Sequence, residues 1–401
     1  MKKVFERRMW AALVACGLVL AAGAVQAQEK VKIGFITDMS GPYADMEGKN
    51  GAVAIQMAID DFGGKVLGQP IELMTLDHQN KADVAASKAR EWIDTQNLTL
   101  VFGGTNSSTA LAMAKVAQEK KRIFISGAAI SSALTNEACS PYTVHYAEDT
   151  VAYAKGVGTA VMERGGKSWF FLTADYAFGQ ALQDDTTRVV KAKGGTVVGS
   201  VKHPLNASDF SSFLLQAQKS GAQVLGLANG GSDTINSIKA AQEFGIGKTM
   251  KIAGLGVMLS DIHSLGLKNA EGLMFTVGWY WDMNDASRQW AARFYEKTNR
   301  MPTDMQAADY SATMTYLKAV QATNTTDADK VMAQLKSTKI DDFFSKGYIR
   351  ADGKYVHDIY LVEAKSPAES KKPWDYLKVL ATLPGEDVFT TKAESKCALW
   401  K

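Results

Sequence analysis

The sequence predicts an α/β fold made of two successive parallel-sheet units. Short β-rich runs alternate with stretches of helical apolar spacing. That alternation restarts after residue 147. The 34 glycines, against only 8 prolines, suit a chain of many tight turns between strands and helices. A length of 401 residues exceeds one compact core and suits two or three domains. With 46% apolar and 22% charged residues, the composition is that of an ordinary globular protein. Disordered, collagen-like and coiled-coil classes are thereby excluded.

The first unit opens with residues 31–36 (VKIGFI), a β-rich run, and a Gly/Pro/Ser loop over 38–48. Residues 51–62 place Val53, Ile55, Met57, Ala58, Ile59 and Phe62 at helical spacing. Strands follow at 70–77, 98–102 and 122–126, separated by helices at 83–95 and 107–119. This β-α-β order implies a parallel sheet covered by helices. The second unit reads as a helix at 151–163 and a strand at 168–173, then a helix at 179–193 and a strand at 196–201. It continues with a helix at 210–219, a strand at 224–227, a helix at 234–244, and strands at 251–255 and 272–277. Helices at 285–297 and 305–322 and a late strand at 357–362 complete the chain. Such units place functional loops beyond the carboxyl ends of their strands, and a cleft between two facing units is the natural ligand site.

Residues 1–27 read as an export signal. A basic start precedes an apolar stretch from Met9 to Val25, and Val25-Gln26-Ala27 offers small residues for cleavage before Gln28. Two other readings exist: a membrane anchor, for which the stretch is at the short limit, and lipid attachment at Cys16. The apolar run continues for nine residues past Cys16, where a lipoprotein has a polar tether. The mature chain is therefore expected to be soluble and exported to the periplasm. Its remaining cysteines, Cys139 and Cys397, either form one disulfide, as an oxidising compartment favours, or stay as two thiols. The formal charge is +3, and part of the excess lies in Lys2, Lys3, Arg7 and Arg8. A near-neutral body argues against a nucleic-acid groove.

Catalytic motifs are missing. The five histidines lie at least 50 residues apart, and no HExxH or cysteine–histidine cluster suggests a metal. Gly247-Lys248-Thr249 and Gly166-Lys167-Ser168 lack the upstream glycine of a phosphate loop. There is no G-x-S-x-G elbow. No enzymatic activity, cofactor or metal is expected.

The strand ends instead carry hydroxyls and small residues. After 98–102 comes Gly103-Gly104-Thr105-Asn106-Ser107-Ser108-Thr109 and a helix. Glycines let backbone approach a solute, and a helix N-terminus attracts a carboxylate; a plain helix cap would explain one Asn or Ser. The next strand ends Ile125-Ser126-Gly127-Ala128-Ala129, with the same chemistry. In the second unit, Thr173-Ala174-Asp175-Tyr176-Ala177-Phe178-Gly179 brings two aromatics to a strand end. Tyr176 is placed to close over an apolar group, with core filling as the alternative. Asn229-Gly230-Gly231-Ser232 offers amide or hydroxyl contacts, or caps a helix. Trp279-Tyr280-Trp281 lines a pocket or packs.

The opening VKIGFITDMSGPYADMEGKNGAVAIQMAID, the GGTNSS and ISGAA strand ends and the TADYAFG turn together resemble the periplasmic leucine/isoleucine/valine-binding protein family, the solute receptors of ABC importers. The resemblance implies the type I periplasmic binding fold: two Rossmann-like parallel-sheet lobes joined by a three-crossover hinge. It implies crossings near 144–150, 276–280 and 350–354. One lobe then comprises 28–147 plus 279–352, the other 148–278 plus 353–401. The family's carboxylate-binding positions match Asn106, Ser107, Ser108, Ser126, Ala128 and Ala129. Its second-lobe aromatic matches Tyr176, and Met46 falls where a large side chain covers the cleft. Asn229 and Tyr280 complete the expected ligand contacts. The implied role is capture of a small apolar carboxylate, an amino acid or an aromatic acid, by hinge closure. A monomeric receptor would deliver it to a permease and ATPase; the alternative is a sensor for a membrane kinase or chemoreceptor. One departure concerns cargo. Amino-acid receptors of this type place an acid in the second lobe against the ammonium; the strand end where it is sought holds Asn229-Gly230-Gly231-Ser232, the nearby Asp233 begins the next helix, and Asp175 or Asp261 could still supply the charge.

Overall fold

In the computed structural model, which describes residues 30–400, the first apolar run becomes the centre of a sheet. The expected export signal and Cys16 lie outside the described residues. β1 (Val31–Thr37) pairs in parallel with β3 (Gln69–Asp77) on one side and β4 (Leu100–Gly103) on the other. β5 (Ile123–Ser126) and β6 (Thr143–His145) extend the parallel order, and the short β2 (Lys65–Val66) adds an antiparallel edge. The sheet runs β2-β3-β1-β4-β5-β6. Alternate side chains go to opposite faces, as the strand pleat requires. Ile33, Phe35, Leu100, Phe102 and Ile125 enter one core; Ile36, Val101 and Phe124 enter a second, with Trp92 and Met113 from the covering helices. Both faces of β4 and β5 are thus buried, and this is why those strands read as apolar runs.

The second parallel sheet has the order β10-β9-β7-β8. Its strands are β7 (Ser168–Ala174), β8 (Thr196–His203), β9 (Val224–Gly230) and β10 (Lys251–Gly256). These match the expected order, and every residue of β9 is buried.

Differences from expectation concentrate after residue 150. The helix expected over 151–163 is interrupted by a π-turn at Ala154–Gly158, where Gly156 packs directly on Thr276. β11 (Met274–Val277) does not extend the parallel sheet. It pairs antiparallel with β15 (Ile359–Ala364), which pairs antiparallel with β16 (Leu377–Leu383). The late strand splits at Asp358 into β14 (Tyr355–His357) and β15. β14 joins β12 (Lys339–Asp341) and β13 (Lys346–Ile349) in a small antiparallel sheet that the sequence pattern did not reveal. The helices Asp285–Thr298 and Asp304–Thr323 appear within a residue of expectation. Thr303 and Gln306 form a capping box at the second.

The three chain segments expected to cross are in contact. The His145 N–H donates to the Gly353 carbonyl at 2.9 Å, and His145 forms a β-bridge with Lys354. Gly278 lies against the Glu148 carboxyl and donates its N–H to Asp304 Oδ2 at 3.1 Å. Cys139 and Cys397 are bonded as a disulfide, closing a sequence separation of 258 residues.

Candidate functional site

Each sheet sends strand-end loops toward the other. After β1, Asp38 organises the first loop. Its carboxylate accepts from the N–H groups of Gly41 (2.7 Å) and Tyr43 (3.0 Å) and from Asn80 Nδ2 (2.8 Å). This Asx-type turn fixes the position of Tyr43. After β4, Gly103 and Gly104 have φ of +107° and +83°, the left-handed region that favours glycine. A Cβ on Gly103 would sit 2.6 Å from the Ile36 carbonyl oxygen. The chain then turns through Thr105 into the helix Ser107–Glu119. The Asn106 side chain caps it, accepting from Ser108 N (2.9 Å) and Thr109 N (3.4 Å). That satisfies two of the four orphan N–H groups of the first turn. The Ser107 hydroxyl is buried there with no hydrogen-bond partner. After β5, Ser126 Oγ accepts from Ala129 N at 3.1 Å, closing the ISGAA turn.

From the second sheet comes Tyr176, which precedes the helix Ala177–Ala192. Its hydroxyl bonds to that of Tyr43, and the rings are tilted at a centroid distance of 6.4 Å. Beneath this pair lies a void of about 10 Å³, the size limit for one water. It is lined by Tyr43, Met46, Thr105, Ala128 and Ile130 from the first half, and by Tyr176, Phe178 and Gly230 from the second. A neighbouring cavity of about 390 Å³ shares Met46. Ser40, Pro42 and Asp45 line it from one side, and Asn206, Ser232, Ile235 and Asp261 from the other. Gly231, at φ +59°, allows the second loop to touch the Pro42 carbonyl and lie 2.9 Å from the Tyr43 ring, counted from where a Cβ would be.

Met46, Ala128 and Tyr176 line one space. Asn106, Ser107, Ser108, Ser126 and Ala129 belong to the two turns that carry Thr105 and Ala128. Of these, Asn106 spends its amide oxygen on the cap and Ser126 its hydroxyl on the turn. The Ala129 carbonyl faces His145 Nε2 at 2.5 Å.

Asn229 and Tyr280 require correction. The Asn229 amide bonds His203 Nε2 (3.1 Å) and Ser237 Oγ (2.9 Å) and accepts from Thr234 Oγ1 (2.8 Å), so all its capacity serves the second-sheet core. The Tyr280 hydroxyl donates to the Trp374 carbonyl at 3.0 Å and accepts from Tyr376 N, far along the chain from either loop set. Trp281 also donates to Trp374, and Trp279 stacks edge-on to Trp290 and Phe343. The run is a packing knot for the C-terminal segment.

Of the acids considered for an ammonium, Asp175 is exposed and pairs with Lys202 at 2.9 Å. Asp233 accepts from the N–H groups of Asn206 and Ala207. Asp261 lines the cavity of about 390 Å³. It is buried and accepts from Met258 N at 3.0 Å, and burial pushes its carboxyl up to about 7. Sequence reasoning passed over Tyr43 and Ile130 as contacts. Their one signal is position, in the loops that follow parallel strands. No group of three metal-ligating side chains occurs among the described residues.

The family model of the periplasmic binding proteins matches residues 30–371. The chain belongs to that family. It is similar to the Leu/Ile/Val-binding protein homolog 6 of Brucella melitensis, at 29% identity over 264 residues. That match covers 64% of this chain and 66% of the relative, so the chain spans slightly less than two thirds of the curated relative's length. A crystal structure of a periplasmic binding protein from Burkholderia mallei is 64% identical and superposes with a TM-score of 0.92, covering 93% of this chain and all of that one. A branched-chain amino acid ABC transporter ligand-binding protein from Burkholderia xenovorans is 42% identical, with a TM-score of 0.82 over the same share of each chain. The two parallel sheets of this periplasmic binding protein, with antiparallel additions, are thus the type I two-lobe fold. Among its described residues, no helix is long and apolar enough to cross a membrane.

Proposed function

We propose that this periplasmic binding protein captures a small apolar carboxylate between two lobes, 28–147 plus 279–352 and 148–278 plus 353–401, and delivers it unchanged to an ABC permease and its ATPase. The observation that carries this reading is the composition of the shared space. Thr105 and Ala128 line one side of it, and two residues after Thr105 a helix begins at Ser107, whose buried hydroxyl has no partner. Tyr176, Phe178, Met46 and Ile130 supply apolar surface around them. A carboxylate is stabilised at a helix N-terminus, and no charged side chain lines the inner void. A buried ammonium there would have no carboxylate partner. This favours an aromatic or aliphatic acid over an amino acid. Hinge motion at the three crossing segments would separate Tyr43 from Tyr176 to admit the solute, and closure would strengthen its hydrogen bonds by excluding water.

A second reading has its own observation. Asp261 lines the adjoining cavity and can face an ammonium, and the Burkholderia xenovorans relative carries a branched-chain amino acid transporter name. A thermal-shift comparison separates them, because a ligand that binds only the native protein raises the midpoint. Benzoate and phenylpropenoate should raise it and leucine, isoleucine and valine should not. The reverse pattern would establish the amino-acid reading, and no shift with either set would refute carboxylate capture.

A further inference from the structure

We propose that the buried Glu47–Asp309 carboxyl pair is a proton-linked control on the Thr105 hydroxyl, so that capture of a carboxylate draws a proton into the pair. The inference rests on the carboxylate reading above. Glu47 immediately precedes the helix Gly48–Asp61, and Asp309 lies in the helix Asp304–Thr323; both are 0% exposed. They converge over one glycine: a Cβ on Gly51 would lie 2.6 Å from Asp309 Oδ2 and 3.0 Å from Glu47 Cγ. The other Asp309 oxygen lies against Gly127 in the ISGAA turn. Glu47 Oε1 and both Asp309 oxygens meet no N–H or hydroxyl donor. Two carboxyls converging on one glycine away from water disfavour double ionisation, so the pair retains a proton.

The pair reaches the solute space through one hydroxyl. Thr105 Oγ1 donates to Glu47 Oε2 at 2.5 Å, Thr37 Oγ1 donates to the same oxygen, and the two threonine hydroxyls touch. Thr105 also lines the inner void. A hydroxyl has one proton to donate. While Glu47 is ionised, Thr105 gives that proton to Glu47 and presents only lone pairs elsewhere. Once the pair takes up a second proton from solvent, so that Glu47 as well as Asp309 is neutral, the Glu47 O–H donates to a threonine oxygen. Thr105 is then free to turn its proton toward a solute carboxylate. No covalent bond changes. A solute anion also raises the proton affinity of a carboxylate beside it.

The groups facing the pair are few. Asp38, from the loop after β1, adds negative charge and raises Glu47 further; His78, after β3, faces Asp38. From the helix Asp304–Thr323, Gln306 Nε2 donates to the Glu47 carbonyl at 3.2 Å. Burial raises Glu47 to about 7, against the pull of Thr105, Thr37 and Asp309, and burial with the Glu47 charge raises Asp309.

The test uses benzoate as probe and titration calorimetry at pH 7 in phosphate and in Tris, which differ in ionisation heat. Wild-type protein should take up a fraction of a proton on binding, and its affinity should fall toward tenfold per pH unit between pH 7 and 8.5. Glu47→Gln should bind with no uptake and a flat pH profile. Thr105→Ser should keep the uptake, and Thr105→Val should lose it. Equal heats in both buffers for wild type, or uptake persisting in Glu47→Gln, would overturn the proposal. Absence of any heat with benzoate would refute the cargo reading instead, and the pair is then decided without ligand. A carboxyl raised by folding stabilises below its unfolded value near 4.5 and loses that contribution as pH rises through about 7. The wild-type melting midpoint should therefore fall more steeply from pH 5 to 8 than that of Glu47→Gln; equal slopes would overturn the proposal.

Discussion

Ser107 and Asn229 look alike as strand-end polar residues, yet their surroundings give them opposite expected behaviour. The Ser107 hydroxyl is buried at a helix N-terminus and has no partner inside the protein. Ser107→Ala therefore breaks no internal bond and should leave the melting midpoint of the empty protein in place. It should weaken benzoate binding about tenfold or more, because a hydrogen bond to a charged group is worth about 1.5–3 kcal/mol. Asn229 is joined to His203, Ser237 and Thr234, all of them buried. Asn229→Leu should cost about 1–3 kcal/mol of stability by stranding those groups, measured by urea unfolding. It should leave affinity within about twofold, and a large affinity loss at unchanged stability would return Asn229 to the binding surface. The difference was invisible in sequence, because a helix-proximal Asn after a strand reads the same whether its amide points into the core or the cleft.

At the scale of elements, regular strands and helices were legible and their junctions were not. Residues 224–227 carry no polar side chain and 31–36 only Lys32, as expected of buried parallel strands, and both became central strands. β12, β13 and β16 escaped notice because half-exposed antiparallel strands such as LKVLATL carry a mixed pattern. The crossing segments are joined by buried charge, which no local pattern announces. Lys354 is buried and its ammonium donates to the Ala147 carbonyl, with Asp149 and Glu148 as the nearest negative charges. Burial, with Asp304 nearby, raises Glu148 to about 8, and its Oε1 lies 3.8 Å from His357 Nε2. Lys354→Met should destabilise by about 2–4 kcal/mol, since it strands a carbonyl and uncompensated acids away from water. Chemical denaturation reads this directly, and a neutral result would show that the crossings are not held by this cation.

Across the whole molecule, the C-terminal tail is tied back by several independent contacts. Cys397 is bonded to Cys139. Arg350 pairs with Asp352 at 2.7 Å, donates to the Thr390 carbonyl at 2.9 Å and lies 3.7 Å from the Trp400 ring centre. Lys155 bonds the carbonyls of Asp387 and Phe389. A bridge spanning 258 residues constrains the unfolded chain strongly. The Cys139→Ser, Cys397→Ser double variant should lose up to about 5.5 kcal/mol in the loop-entropy view. Because the bridge lies outside the solute-lining loops, benzoate affinity at low temperature should be preserved. A large affinity loss at unchanged stability would tie the tail to binding.

Sequence alone determined the alternation of strands and helices and the two parallel sheets. Those follow from short-range periodicity, which burial on both sheet faces imposes on every few residues. Only the tertiary structure decided which polar strand-end residues remain available, that Tyr43 meets Tyr176, and that Glu47 and Asp309 share one site. Each of those depends on groups 133 or 262 residues apart, or on the direction of a single side chain, and local sequence carries neither.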